Sequence, residues 1–108
     1  MSDRVTDNSE ARRFEMALGA RDAPAGAEPG AAEPGRALAF VAYRRTGDVL
    51  TLDHAEVPPA FEGQGVGSRL VKATLDDIRA RGLKIIPRCG FVRAYMHSHP
   101  EFNDLLGG

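Results

Sequence analysis

Polar and apolar positions divide the chain into a strand-rich first half and a second half that carries its helices. Arg13-Phe14-Glu15-Met16-Ala17-Leu18 alternates polar and apolar side chains, the period-two pattern of a half-buried strand. Ala37 to Arg45 and Val49 to Val57 flank Thr46-Gly47-Asp48, which predicts a hairpin; in its first arm Leu38, Phe40 and Ala42 share one face. Pro58-Pro59 ends the second arm, because proline supplies no ladder donor and holds its predecessor extended.

The period then changes. From about Gln64 to Arg81, Val71, Leu75 and Ile78 recur at i, i+4 and i+7, with Gly67, Leu70 and Thr74 beside them. Arg69, Lys72, Asp76, Asp77 and Arg79 stand opposite, so one amphipathic helix lays its apolar face on a sheet. Gly82 suits a left-handed cap, and residues 83–87 predict a strand that returns parallel to 49–57 through a right-handed crossover. Val92 to about His97 predicts a second helix, and Pro100 opens a short last turn through Leu106. Residues 1–12 are polar and predict a flexible, frayed N-terminus ahead of a single domain over 13–108. Residues 19–35 are almost wholly Ala, Gly and Pro with an Ala-Glu-Pro-Gly echo, a composition that predicts a disordered loop.

Composition narrows the function classes. A chain of 108 residues has room for one modest core. Fourteen Lys and Arg against 15 Asp and Glu leave no basic stripe, so nucleic acid is not an expected partner. No apolar run reaches the length of a membrane span and the N-terminus has no signal-like apolar region, which predicts a cytoplasmic protein without a membrane partner. Cys89 has no second cysteine to pair with, and three scattered histidines give no metal-ligand spacing, so no metal is expected.

The most specific pattern is Gly63-Gln64-Gly65-Val66-Gly67-Ser68, placed where a strand feeds a helix. Glycines there let backbone N–H groups converge on one point at the positive end of the helix dipole, and that point suits a phosphate. The nucleotide P-loop does not fit, since no Lys-Ser/Thr pair closes the motif. The dinucleotide fingerprint does not fit either, because its glycine spacing and early position in a βαβ unit are absent. A plain tight turn is the bland reading.

The run from Val57 through Glu62-Gly63-Gln64-Gly65-Val66-Gly67 to Leu70 resembles the acetyl-coenzyme A loop of the GNAT superfamily of N-acetyltransferases, Arg/Gln-x-x-Gly-x-Gly/Ala. Glu62 stands at the Arg/Gln position. Cys89-Gly90-Phe91-Val92 and His99-Pro100-Glu101-Phe102 resemble a compact branch of that superfamily with Cys-Pro-Tyr/Phe-Val and His-Pro-Glu-Tyr/Phe segments, Gly90 replacing the proline. The resemblance covers about residues 36–106. It implies an α/β fold with a mixed, mainly antiparallel sheet and one parallel junction, flanked by one long and one or two short helices. It further implies acetyl-coenzyme A as cofactor, its pyrophosphate held by Gly63, Gln64, Gly65, Val66, Gly67 and Ser68. The main chain near Val57 would pair with the pantetheine arm, and the thioester would lie between the ends of strands 49–57 and 83–87.

Acetyl transfer to an amine needs the ammonium deprotonated before it can attack. Cys89 falls beside the expected thioester and reads as acyl-accepting nucleophile, as proton donor to the departing thiolate, or as a small packed apolar residue. His54 and Glu56 lie two apart on one strand and share a face, where His54 suits a base near neutral pH; an outward polar face is the plain alternative. Tyr95 sits near the place where many members of the superfamily protonate the leaving thiolate, and it also suits core packing. The expected function is an acetyl-coenzyme A-dependent N-acetyltransferase acting on an amine of a small molecule or a protein, as a monomer or a homodimer. A non-catalytic acyl-coenzyme A-binding or interaction module is the alternative, with Glu62 and Gly90 as the features in its favour.

Overall fold

The computed structural model describes residues 4–19, 37–63 and 65–107, so most of the expected loop at 19–35 lies outside the described residues. Along the chain run β1 (Thr6–Asn8), β2 (Arg13–Leu18), β3 (Ala37–Thr46), β4 (Val49–Glu56), α1 (Val66–Ala80), β5 (Lys84–Pro87) and α2 (Gly90–Ser98). Short 3₁₀ turns lie at Pro59–Phe61 and Pro100–Leu105. The strands form one sheet in the order β1-β2-β3-β4-β5, antiparallel except for the β4–β5 junction. That mixed sheet with one long and one shorter helix is the architecture the residue pattern predicts.

One face of the sheet holds the core. Phe14, Met16 and Leu18 of β2, Ala39, Val41 and Tyr43 of β3, and Leu50 and Leu52 of β4 are buried together with Leu70, Val71, Leu75 and Ile78 of α1. The residues Leu38, Phe40 and Ala42, expected to share a face, do so on the opposite, partly exposed side. Val92, Tyr95 and Met96 of α2, with Phe102 and Leu105 of the last 3₁₀ turn, close the same core at its β5 end. Arg79 ties α1 to that turn, pairing with the Asp104 carboxylate and donating to the Glu101 carbonyl at 2.7 Å.

Two features depart from the expected pattern. Thr6–Asn8, expected to fray, pairs in register with β2 from Thr6↔Glu15 to Asn8↔Arg13. Its anchor is Asp7, which accepts from the buried Tyr43 hydroxyl at 2.5 Å and from Arg81 at 2.8 Å. A polar segment thus becomes ordered through a charge-assisted network, with the neighbouring Val5 packed against the core. The second departure is a bulge in β4. Ala42 pairs with His54 but Tyr43 pairs with Leu52, which leaves Asp53 without an opposite residue.

The Asp7–Tyr43 contact makes a prediction about alkaline stability. An unfolded tyrosine loses its proton near pH 10, whereas burial and the Asp7 carboxylate push the folded Tyr43 phenol up to about 12. The folded pKa is raised, so this contribution is complete below pH ~10 and is lost as pH climbs toward that of the folded phenol. Denaturant midpoints followed from pH 9 to 12 should fall less steeply in Tyr43→Phe than in the natural chain; parallel curves would remove Tyr43 from the account.

Candidate active site

The β4–β5 junction opens where it does for a local reason. Parallel pairing runs from Val49↔Lys84 to Leu52↔Pro87 and stops at the proline, which has no N–H to offer. Arg88 and Cys89 then both donate their N–H groups to the Leu52 carbonyl, at 3.0 and 2.9 Å. That double contact turns the chain into α2, while β4 continues to Glu56. Beyond Leu52, the β4 edge facing away from β3 has no strand partner among the described residues.

A cavity of about 340 Å³ lies against this opening. Its apolar wall is Ala55, Val57, Phe61 and Val66; its polar end is the turn at Glu62, Gly63, Gly65, Gly67 and Ser68; Phe91 closes one side. The two halves suit different parts of one ligand. The turn is shaped by Gly63 and Gly65, whose φ of 83° and 76° lie in the left-handed region that side chains with a Cβ rarely adopt. Gly65 is the N-cap of α1, so the helix starts at Val66 rather than at Gln64, as the apolar spacing alone predicts. The first-turn N–H groups have no partners earlier in the helix and sit at the positive end of the dipole. Gln64 itself lies outside the described residues.

Gly67 matters for another reason. A Cβ at this position would stand 2.6 Å from Cζ of the Phe91 ring, so the ring rests directly on the α1 backbone. Glu62 is exposed and lines the cavity, which puts a carboxylate beside the turn.

The other candidates are distributed around the opening. Cys89 is the N-cap of α2 and only 8% exposed, packed into the core beside Leu52. His54 and Glu56 share the open face of β4, as their spacing predicts, with His54 Nε2 3.2 Å from Glu56 Oε1. The His54 ring also stands edge-on to Phe40, centroids 6.1 Å apart. The bulge at Asp53 turns these two side chains away from the cavity, whereas Ala55 and Val57 line it. Tyr95 packs away from the cavity: its ring stacks on His99 at 3.9 Å and meets Phe102 at 6.1 Å. Burial raises the Tyr95 pKa above its ordinary value.

Residues 30–105 match the family described as GCN5-related N-acetyl-transferase. The chain belongs to that family. As a GCN5-related N-acetyltransferase it also resembles the curated Protein NATD1 of Gallus gallus and of Mus musculus. Each is 35% identical over 52 residues, covering 48% of this chain and 47% of the relative. The chain thus spans about half the length of the curated relatives it matches. Its fold superposes on a GCN5-like protein of Staphylococcus aureus solved by NMR, with a TM-score of 0.61 and 25% identity, over 97% of this chain and 88% of that one.

In this GCN5-related chain, Phe61 and Phe91 are cavity residues that the spacing of the motif does not single out. Phe61 is fully buried and floors the cavity from the 3₁₀ turn after Pro58. The signal for it was an aromatic set between a proline pair and the glycines; for Phe91 it was an aromatic two residues after the only cysteine. Among the described residues, no group of three or more His, Cys, Asp or Glu could hold a metal ion, and no helix is long and apolar enough to cross a membrane.

Proposed function

We propose that the chain is an acetyl-coenzyme A-dependent N-acetyltransferase whose acceptor is an amine of a small molecule or a protein. The observation that carries this reading is the junction itself: a parallel strand pair that separates at Leu52/Pro87 directly beside a glycine-built helix start. The bound cofactor would supply an activated acetyl thioester. Its fit to these residues rests on the cavity: apolar Val57 and Phe61 suit the pantetheine arm, and the N–H groups of Gly65 to Ser68 suit a pyrophosphate.

The residues then divide the work by face. Ala55 and Val57 line the cavity on the helix side, while His54 and Glu56 stand on the open side of the same strand. The acceptor amine comes from that open side, and His54 takes its proton as the new N–C bond forms. Glu56 holds the imidazole and offers a negative charge to an approaching ammonium. Cys89, at the end of β5, gives its proton to the thiolate released when the C–S bond breaks, and solvent restores both groups. Tyr95, packed on His99 and Phe102, holds α2 in place.

Glu62 is the observation that favours the non-catalytic alternative, since a carboxylate beside the turn opposes a pyrophosphate. An exposed charge contact of this kind is worth about 0.2–1 kcal/mol. Glu62→Gln should therefore tighten coenzyme A by up to about fivefold at low salt, with the gain shrinking as ionic strength rises. Calorimetry with acetyl-coenzyme A, coenzyme A and ATP, paired with a thiol-release assay over a panel of amines, tests the function. Binding of both coenzyme A forms with amine-dependent thiol release is expected. Binding without release would make the chain a binding module, and preference for ATP would overturn both readings.

A further inference from the structure

A second cleft, about 280 Å³ in volume, lies between α2 and the 3₁₀ turn at Pro100–Leu105, and it shares no lining residue with the cavity at the glycine turn. Pro87, Met96, Pro100 and Leu106 give it an apolar floor. Three polar side chains line it as well: Arg93 and His97, four apart and so on one face of α2, and Asn103 from the turn. Among the described residues no carboxylate lines it. Asp104 of the same turn is drawn away to Arg79 of α1.

The positive charge in this cleft is uncompensated. Arg13, Arg44, Arg79 and Arg81 each pair with a carboxylate, whereas the side chains of Arg93, His97 and Asn103 have no hydrogen-bond or ion-pair partner among the described residues. Leu106 is 48% exposed beside them, although it is large and apolar. Its backbone is held there: the Leu106 N–H donates to the Asn103 carbonyl and the Gly107 N–H to the Ile85 carbonyl of β5, both at 3.1 Å.

The neighbouring sheet edge narrows what such a cleft accepts. A peptide would extend the sheet by hydrogen bonding to the outer edge of β5. There Leu106 already bridges Ile85, and Pro87 has no N–H to offer, so a strand partner is disfavoured. The volume suits a ligand smaller than a drug-sized molecule. The guanidinium fork matches a planar carboxylate through two parallel bonds, and its single charge offsets one carboxylate but not the charge of about −1.5 to −2 on a phosphomonoester. We infer that this cleft binds a small aliphatic carboxylate, its anionic end on Arg93 with His97 and Asn103 as further donors, and its chain on Met96, Pro100 and Leu106. The site is separate from the glycine-turn cavity and does not depend on acetyl transfer.

The test is a titration of the full, isotope-labelled chain with hexanoate, hexanol and inorganic phosphate at constant ionic strength, followed through the backbone amide shifts. Hexanoate should bind saturably with a Kd on the order of 1 mM, and the shifts should centre on Arg93, His97, Asn103 and Leu106. Hexanol keeps the chain without the charge and phosphate keeps charge without the chain; each should bind at least about tenfold more weakly. Arg93→Gln should weaken hexanoate by about tenfold and leave hexanol within about twofold, while Leu106→Asn should weaken both. Thermal melts establish that each variant is folded. Hexanol binding as tightly as hexanoate would make the cleft a plain apolar patch, and phosphate binding as tightly would make Arg93 an unselective surface charge. Either result, unchanged hexanoate affinity in Arg93→Gln, shifts centred on Gly65 to Ser68 instead, or no saturable binding would overturn the inference.

Discussion

Cys89→Ala should slow acetyl transfer by about 10²–10⁴, the range expected on removing a general acid, while coenzyme A affinity stays within a few-fold. Cys89 is nearly enclosed and is held by its own N–H to Leu52, so alanine leaves the backbone turn intact. His54→Ala should cause a loss of similar order, and His54→Gln should not rescue it, because an amide cannot accept the proton. Intact-mass measurement after incubation with acetyl-coenzyme A alone separates the roles of the thiol. No adduct is expected on the natural chain. An acetyl mass on Cys89 with one equivalent of released thiol would make it the acyl carrier instead. Near-natural rates in both alanine variants would defeat acid and base assignments together and leave direct attack by a solvent-deprotonated amine.

Gly65→Val should weaken coenzyme A by more than tenfold, with turnover at saturating cofactor much less affected. The residue caps α1 at φ 76° and ψ 9°. A side chain with a Cβ costs about 1–2 kcal/mol in that conformation, and a β-branched one relieves the strain by tilting the following N–H groups off their common point. Each neutral hydrogen bond lost there adds about 1 kcal/mol, and 1.4 kcal/mol is already tenfold. A cooperative melt shows whether the variant is folded. Natural affinity in a folded Gly65→Val protein would exclude the turn as the phosphate site.

The parts legible in the sequence are those where local chemistry and tertiary packing agree. β2, the hairpin, α1 and β5 each carry an apolar period that matches the face they bury, and proline and glycine mark their ends. The parts that were not legible depend on partners distant in sequence. β1 looked frayed because nothing in Thr6-Asp7-Asn8 announces Tyr43 and Arg81, 36 and 74 residues away from Asp7. In the site, the glycine turn was readable as a motif, but not the separate reasons for its glycines: Gly63 and Gly65 answer to backbone conformation, Gly67 to an aromatic ring from α2. Tyr95 shows the converse. Its place after Cys89 pointed to the reacting centre, yet helical rotation carries it to His99 and Phe102.

A strand can be thought of as a message in which alternate letters are addressed to opposite readers. In β4 the unpaired Asp53 acts as a frameshift. Upstream, the even positions Leu50 and Leu52 address the core; downstream, the odd positions Ala55 and Val57 do, and His54 and Glu56 are released to the other side. Without that shift, the imidazole and its carboxylate would follow Leu52 into the interior, and the ligand cavity would lose its small apolar wall. One supernumerary residue thus lets eight residues of chain feed a hydrophobic core, line a cavity and present a polar pair to the opposite face, and a single insertion or deletion between Leu50 and Val57 would exchange their addresses.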